Sequence, residues 1–198
     1  MNYLAHAYLS FGDKDVLAGN MFSDFIKGRK QFDYPAAIQA GIKLHRAIDQ
    51  FTDEHPATRR MAAVFKPHYR LYGGAFADVA YDYFLANDTS QFDTPNDLML
   101  FTQQVYASLE ENRTWFPTQF GDMFPYMQSQ NWLYNYQFDS GIQKSFQGVA
   151  RRAAYIREAD TAFSLFMENK SLMQEQYDIF FHSVKSFAKD TMEQLLKH

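Results

Sequence analysis

The sequence contains no cysteine. That excludes a disulfide framework, a thiolate-ligated metal and a cysteine nucleophile. Valine is scarce and runs of alternating β-branched residues are missing, so the usual signal for strands is absent. No apolar run reaches the ~20 residues that a membrane-spanning helix needs, so no membrane association is expected. The stretch Met1–His6 lacks the basic segment and long apolar run of a secretory signal. The expected compartment is the cytoplasm. Positive charge is not in excess: the formal net charge is −4, which argues against general nucleic-acid binding. A Gly-rich phosphate loop, a G-x-S-x-G elbow and an H-E-x-x-H pair are all missing. Serine-hydrolase and zincin chemistry therefore have no support.

What is present is hydrophobic and aromatic. The 198 residues are 46% hydrophobic and 18% aromatic, with twenty Phe and thirteen Tyr. This suffices for a substantial core, and a single domain over residues 1–198 is expected. Such ring content points to packed helices or an aromatic-lined pocket. Aromatic and aliphatic residues recur at helical rather than alternating spacing, which predicts an all-α fold. Helices are expected over about 2–11, 13–27 (with Gly28 as its stop), 34–53, a short piece between Pro56 and Pro67, 75–86, 95–113, 141–152, 158–168 and 171–196. Gly73-Gly74 reads as a chain break and 87–94 as a loop. Thr94-Pro95 supplies a cap and a first-turn proline. Pro117, Gly121 and Pro125 predict shorter pieces over 115–140. In the last helix Met173, Tyr177, Phe180, Phe181, Val184, Phe187 and Leu195 form one apolar stripe, a core face.

Polar residues inside apolar stretches are the candidates for chemistry. His45, Asp49 and Asp53 recur every four residues and share one helix face. An imidazole and a carboxylate one turn apart can hold one divalent ion, or can simply pair and stabilise the helix by ~0.2–0.5 kcal/mol. Asp78 and Asp82 are also four apart, on a helix otherwise built from Ala, Val, Tyr, Phe and Leu. Like charges at this spacing repel, and buried carboxylates need a cation or a basic neighbour. His6 lies in Leu4-Ala5-His6-Ala7 and Asp24 in Phe22-Ser23-Asp24-Phe25. Each alone reads as a satisfied core polar group. Together, four helices each bring His or Asp from an apolar stretch, the way helical bundles build metal sites. Oxygen and imidazole donors without thiolate suit Mn, Mg, Fe or Zn and do not choose among them. Such an ion activates water and clamps a phosphate oxygen. Arg46 offers a planar fork for that phosphate. Basic clusters at Lys27/Arg29/Lys30, Arg59/Arg60 and Arg151/Arg152 read as ordinary solvated charge or as docking points for a phosphate or an acidic partner.

A set of motifs resembles one known family. Asn2-Tyr3-Leu4-Ala5-His6, Gly19-Asn20, Asp24-Phe25, Gly28, Gly41, His45-Arg46, Ile48-Asp49 and Thr52-Asp53 resemble the acyl carrier protein phosphodiesterases. Asp78 and Asp82 fall where that family has acidic residues. Trp132, Tyr136, Gly148 and Arg151-Arg152 are similar in the C-terminal half. The likeness is dense over residues 1–85 and thin over 86–130. It implies an HD-domain-like helical core with additional C-terminal helices, and removal of 4′-phosphopantetheine from a serine of holo-acyl carrier protein. It also implies a cytoplasmic enzyme with a divalent metal, typically manganese, with magnesium or iron as alternatives. The adjacent His-Asp doublet of HD proteins is lost here, because Ser23 precedes Asp24. On this reading His6, Asp24, His45 and Asp78 are the expected ligands. Asp49 and Asp82 join as ligands, base or support, and Arg46 holds phosphate. Lys27, Arg29 and Lys30 form a docking surface, because carrier protein is acidic and the enzyme is itself net negative. The rival readings are a related hydrolase of small phosphoesters or nucleotides, and a non-catalytic helical binding module.

Overall fold

The computed structural model describes residues 1–197. The expected single domain extends to His198, which lies outside the described residues. Among the described residues every regular element is helical. Eleven α-helices follow one another: α1 Tyr3–Tyr8, α2 Lys14–Phe22, α3 Ala36–Glu54, α4 Pro56–Tyr69, α5 Gly73–Ala86, α6 Pro95–Glu111, α7 Thr118–Ser129, α8 Trp132–Asn135, α9 Asp139–Arg152, α10 Asp160–Glu168 and α11 Lys170–Leu196. Among the described residues no helix is long and apolar enough to cross a membrane.

Helix α5 is the central post. Phe76, Ala77, Val79, Ala80, Tyr81, Tyr83, Phe84 and Leu85 are all buried. A helix apolar on every side must be surrounded, and α1, α4, α9 and α11 surround this one. The aromatic excess goes into this packing. Phe76 meets Phe65 at 5.4 Å and Phe146 at 5.2 Å between ring centroids, the second edge-on. The stripe on α11 lines the same core, except that Phe187 and Leu195 are half-buried. Phe187 stacks on Phe51 of α3 at 4.5 Å.

Helices α2 and α3 form the tightest pair. A Cβ built on Gly19 would run into the Ile38 carbonyl oxygen, and one on Gly41 into the Val16 carbonyl oxygen. Two bare glycines facing each other let the backbones touch. This contact brings Asn20 on α2 up against His45 on α3.

Three local expectations differ from the structure. Helix α2 ends at Phe22, not near Lys27; a turn of 3-10 helix covers Ser23–Phe25 and another 3-10 stretch covers Gly28–Asp33. Ser23 is drawn inward, its hydroxyl donating to the Ile42 carbonyl at 3.3 Å. Asp24 therefore projects from a tight turn rather than from a long helix. Pro67 does not end α4, which runs on to Tyr69 and stops where Arg70 takes φ +49°. Gly73-Gly74 does not break the chain but opens α5. Gly73 is there for close approach, since a Cβ would press on the Ala62 carbonyl of α4.

Candidate metal centre

Asn20 is fully buried and organises the centre. Its amide nitrogen donates to the His6 carbonyl oxygen at 2.9 Å and to Ser10 Oγ at 3.0 Å. A carbonyl can only accept, so these contacts fix which amide atom is nitrogen. The amide oxygen then faces His6 Nδ1 at 2.8 Å, and Nδ1 must carry the hydrogen. His6 Nε2 is left with a bare lone pair. It is buried, makes no hydrogen bond, and stands 3.2 Å from Asp49 Oδ1. Burial, reinforced by the charge of His45, lowers the His6 pKa to about 4. The ring is neutral at neutral pH.

The backbone carbonyl of the same Asn20 accepts from His45 Nδ1 at 2.7 Å. His45 Nε2 is thereby aimed at Asp24 Oδ1 and Asp49 Oδ2, each 3.1 Å away. The two imidazoles stack with centroids 4.0 Å apart. Burial works against charge on His45, but the hydrogen bonds to Asp24 and Asp49 outweigh it and raise the pKa to about 9. Burial also opposes the Asp49 carboxylate, yet the hydrogen bond from His45 and the charge of the Met1 amine hold it well below the ordinary carboxylate range. The hydrogen bond from His45 lowers Asp24 as well.

Three donor groups, His6, His45 and Asp49, come within 4.8 Å of one another. Adjacent donors in an octahedral shell with ~2.1 Å bonds sit about 3 Å apart. The separations from Asp49 to the two Nε2 atoms, 3.2 and 3.1 Å, match that spacing. A buried lone pair facing a carboxylate oxygen is unfavourable unless a cation lies between them. A cation does already sit at the rim. The Met1 ammonium lies 3.2 Å from both Asp49 Oδ1 and Asp78 Oδ1. Burial lowers its pKa, but Asp78 and Asp49 raise it to about 11 overall. Two imidazoles and a carboxylate, with further carboxylates alongside, suit a borderline or hard divalent ion. The residues fit such a group.

The remaining candidates are distributed around this cluster. Asp24 is its exposed edge, with a side chain 73% accessible. Asp78 reaches it through the Met1 amine, and burial raises the carboxyl above its ordinary range. Asp82 points elsewhere: Oδ2 and Oδ1 accept the N–H groups of Leu4 and Ala5 at 2.8 and 3.1 Å. Arg46 does not face the cluster either. It donates to Gln31 Oε1 at 2.8 Å and to the Ile26 carbonyl at 3.1 Å, tying the 3-10 stretch to α3. Lys27, Arg29 and Lys30 are exposed on that stretch.

A cavity of about 280 Å3 opens beside the cluster, lined among others by Met1, Asp24, Tyr72, Asp78 and Arg152. Arg152 is the only guanidinium in that lining, and its charge pulls against the burial that pushes Tyr3 up to about 12. Sequence reasoning assigned no role in the centre to Asn20, beyond its place in a family-like motif, or to the Met1 amine, and offered Arg152 only as one of a basic pair that could dock a phosphate. Asn20 carried a readable signal, an amide inside the apolar run Val16–Phe22. The other two come from the chain terminus and from the end of α9, where no spacing rule connects them to His45.

Fold and cluster together define an all-helical protein with a buried His/carboxylate centre of metal-binding type. The chain belongs to the acyl carrier protein phosphodiesterase family, whose sequence model matches residues 1–184. It is 30% identical to the acyl carrier protein phosphodiesterase of Serratia proteamaculans, over 96% of this chain and 98% of that protein. It is 29% identical to that of Yersinia pestis over 96% and 98%, respectively. The similarity to the Klebsiella pneumoniae protein of the same name is 35% over 77% of this chain and 79% of that one. No solved structure shows a significant match.

Proposed function

We propose that this protein hydrolyses holo-acyl carrier protein, releasing 4′-phosphopantetheine and leaving the apo-protein, in the cytoplasm. The observation that carries this reading is the bare Nε2 of His6 facing Asp49, beside a cavity with Arg152 in its wall. His6, His45 and Asp49 would hold a divalent ion, manganese in our reading, with Asp24 at its open edge. The ion, when bound, supplies positive charge for a phosphoryl oxygen and lowers the pKa of water.

The protein's own side chains do the rest. Asn20 accepts the Nδ1 hydrogen of both imidazoles and so aims each Nε2 toward the carboxylates. Arg152 balances the phosphate charge in the acidic cavity. A water oxygen bonds to phosphorus, the bond to the serine oxygen breaks, and a proton passes to that oxygen. Asp78 is suited to hold this proton, because burial raises its carboxyl and brings it closer to the working pH. Lys27, Arg29 and Lys30 would meet the acidic carrier protein. The test is mass spectrometry of holo-carrier protein incubated with the enzyme and manganese. A loss equal to one phosphopantetheine is expected, abolished by a chelator and by His6→Ala. If the wild type with manganese leaves the mass unchanged, the assignment is wrong.

A further inference from the structure

A second cavity, of about 390 Å3, lies where α8 and α9 meet the start of the chain. Its volume falls within the roughly 300–1,000 Å3 of small-ligand pockets. It shares Asn2 and Arg152 with the cavity beside the metal centre, so the two adjoin. Their chemistry differs. The first has Asp24 and Asp78 in its wall, whereas the second has Lys144, Arg151 and Arg152 and no carboxylate. Arg152 stands where the two meet.

We propose that this second cavity seats the pantetheine arm, with Arg152 at the junction gripping the phosphate. The inference rests on the phosphodiesterase reading above and adds where the substrate's arm goes. A phosphodiester over the metal centre has two substituents that must leave in different directions. One is a folded protein, which stays outside. The other is a slender chain of an apolar branched segment, one hydroxyl, two amides and a terminal thiol, which needs a pocket with mixed lining. The second cavity supplies that mixture. Asn2, Asn135 and Ser145 each donate to a partner within the protein, which leaves their amide and hydroxyl oxygens to accept from the arm, and Trp132 gives an apolar face. The Trp132 indole N–H is already taken by Gln130 at 3.1 Å, which fixes the ring in place. Cations without a carboxylate draw the phosphate end inward.

Gly148 provides the lever for a test. A Cβ there would meet only Arg151 Nη2 and Arg152 Nη1, both at 3.8 Å, and no backbone. Gly148→Leu therefore fills the passage between the two guanidinium groups while strengthening a helical position. The chain has two tryptophans, so a Trp115→Phe background leaves Trp132 as the sole indole reporter. Titrating that protein with free 4′-phosphopantetheine is expected to give a saturable change in Trp132 emission. Pantetheine should bind more weakly, and inorganic phosphate alone should leave the emission unchanged. Gly148→Leu is expected to abolish the change and to raise KM for holo-carrier protein at least tenfold. Its circular dichroism and its manganese-induced rise in Tm should match the wild type, whereas Gly148→Ala should still bind. Unchanged affinity and KM in a folded Gly148→Leu protein would overturn the proposal. So would active turnover with no Trp132 response to phosphopantetheine. A clear Trp132 response in a protein that cannot process holo-carrier protein would sink the functional reading and leave the cavity assignment standing.

Discussion

Both oxygens of Asp82 accept backbone N–H groups, so this carboxylate of α5 caps the start of α1 from across the core. His6 lies one and two residues beyond the amides it holds. Asp82 therefore fixes the position of His6 without facing it. Burial raises its pKa to about 7, against the pull of the Leu4 and Ala5 amides. The raised value means that the folded protein holds this proton more tightly than the unfolded chain does. The group's contribution is then most favourable below about pH 4 and declines as pH rises to about 7, at up to ~1.4 kcal/mol per unit. In chelator-treated protein, Asp82→Asn is expected to remove that slope from a plot of Tm against pH. Parallel plots for variant and wild type would show that Asp82 is not the titrating group. The spacing of Asp78 and Asp82 was legible in the sequence. Their division of roles was not, because it depends on which backbone amides the tertiary fold brings to each carboxylate.

At the scale of elements, the Gly19/Gly41 crossing sets how closely Asn20 can approach His45. Gly41→Ala would force its new methyl group against the Val16 carbonyl. Overpacking of this kind costs about 1–3 kcal/mol, and relief requires α2 and α3 to separate. Separation stretches the 2.7 Å bond from His45 Nδ1 to the Asn20 carbonyl. Gly41→Ala should therefore lower Tm and also shrink the manganese-induced rise in Tm, read by calorimetry with and without the ion. A lower Tm with an undiminished rise would uncouple the crossing from the centre. Helix positions were largely legible, because periodic apolar residues and the Thr94 capping box mark them. The turn carrying Asp24 was not, since an apolar run through Phe22 and Phe25 continues the helical pattern beyond the point where Ser23 turns inward.

At the scale of the whole molecule, charge is unevenly spread. The net charge is −4, yet Lys27, Arg29 and Lys30 stand exposed on the stretch directly after Asp24. A triple substitution of these residues to Glu is expected to lower kcat/KM for holo-carrier protein about tenfold or more, mainly by slowing association. The dependence on ionic strength should flatten or invert. A free phosphopantetheine titration should be unaffected, since the lost contacts belong to the protein partner. Equal salt dependence in wild type and variant would exclude this face as the landing surface. The sequence disclosed the cluster and its nearness to Asp24, but only the fold shows that Asp24 forms the exposed edge of the centre.

One amino acid directs both imidazoles, and it does so through different parts of itself. Asn20 governs His6 through its side-chain oxygen, which mutation can alter, and His45 through its main-chain oxygen, which every residue possesses. The two halves of the centre are thus unequally open to variation. Drift at position 20 can retune one ring, while the other answers only to changes that move a helix.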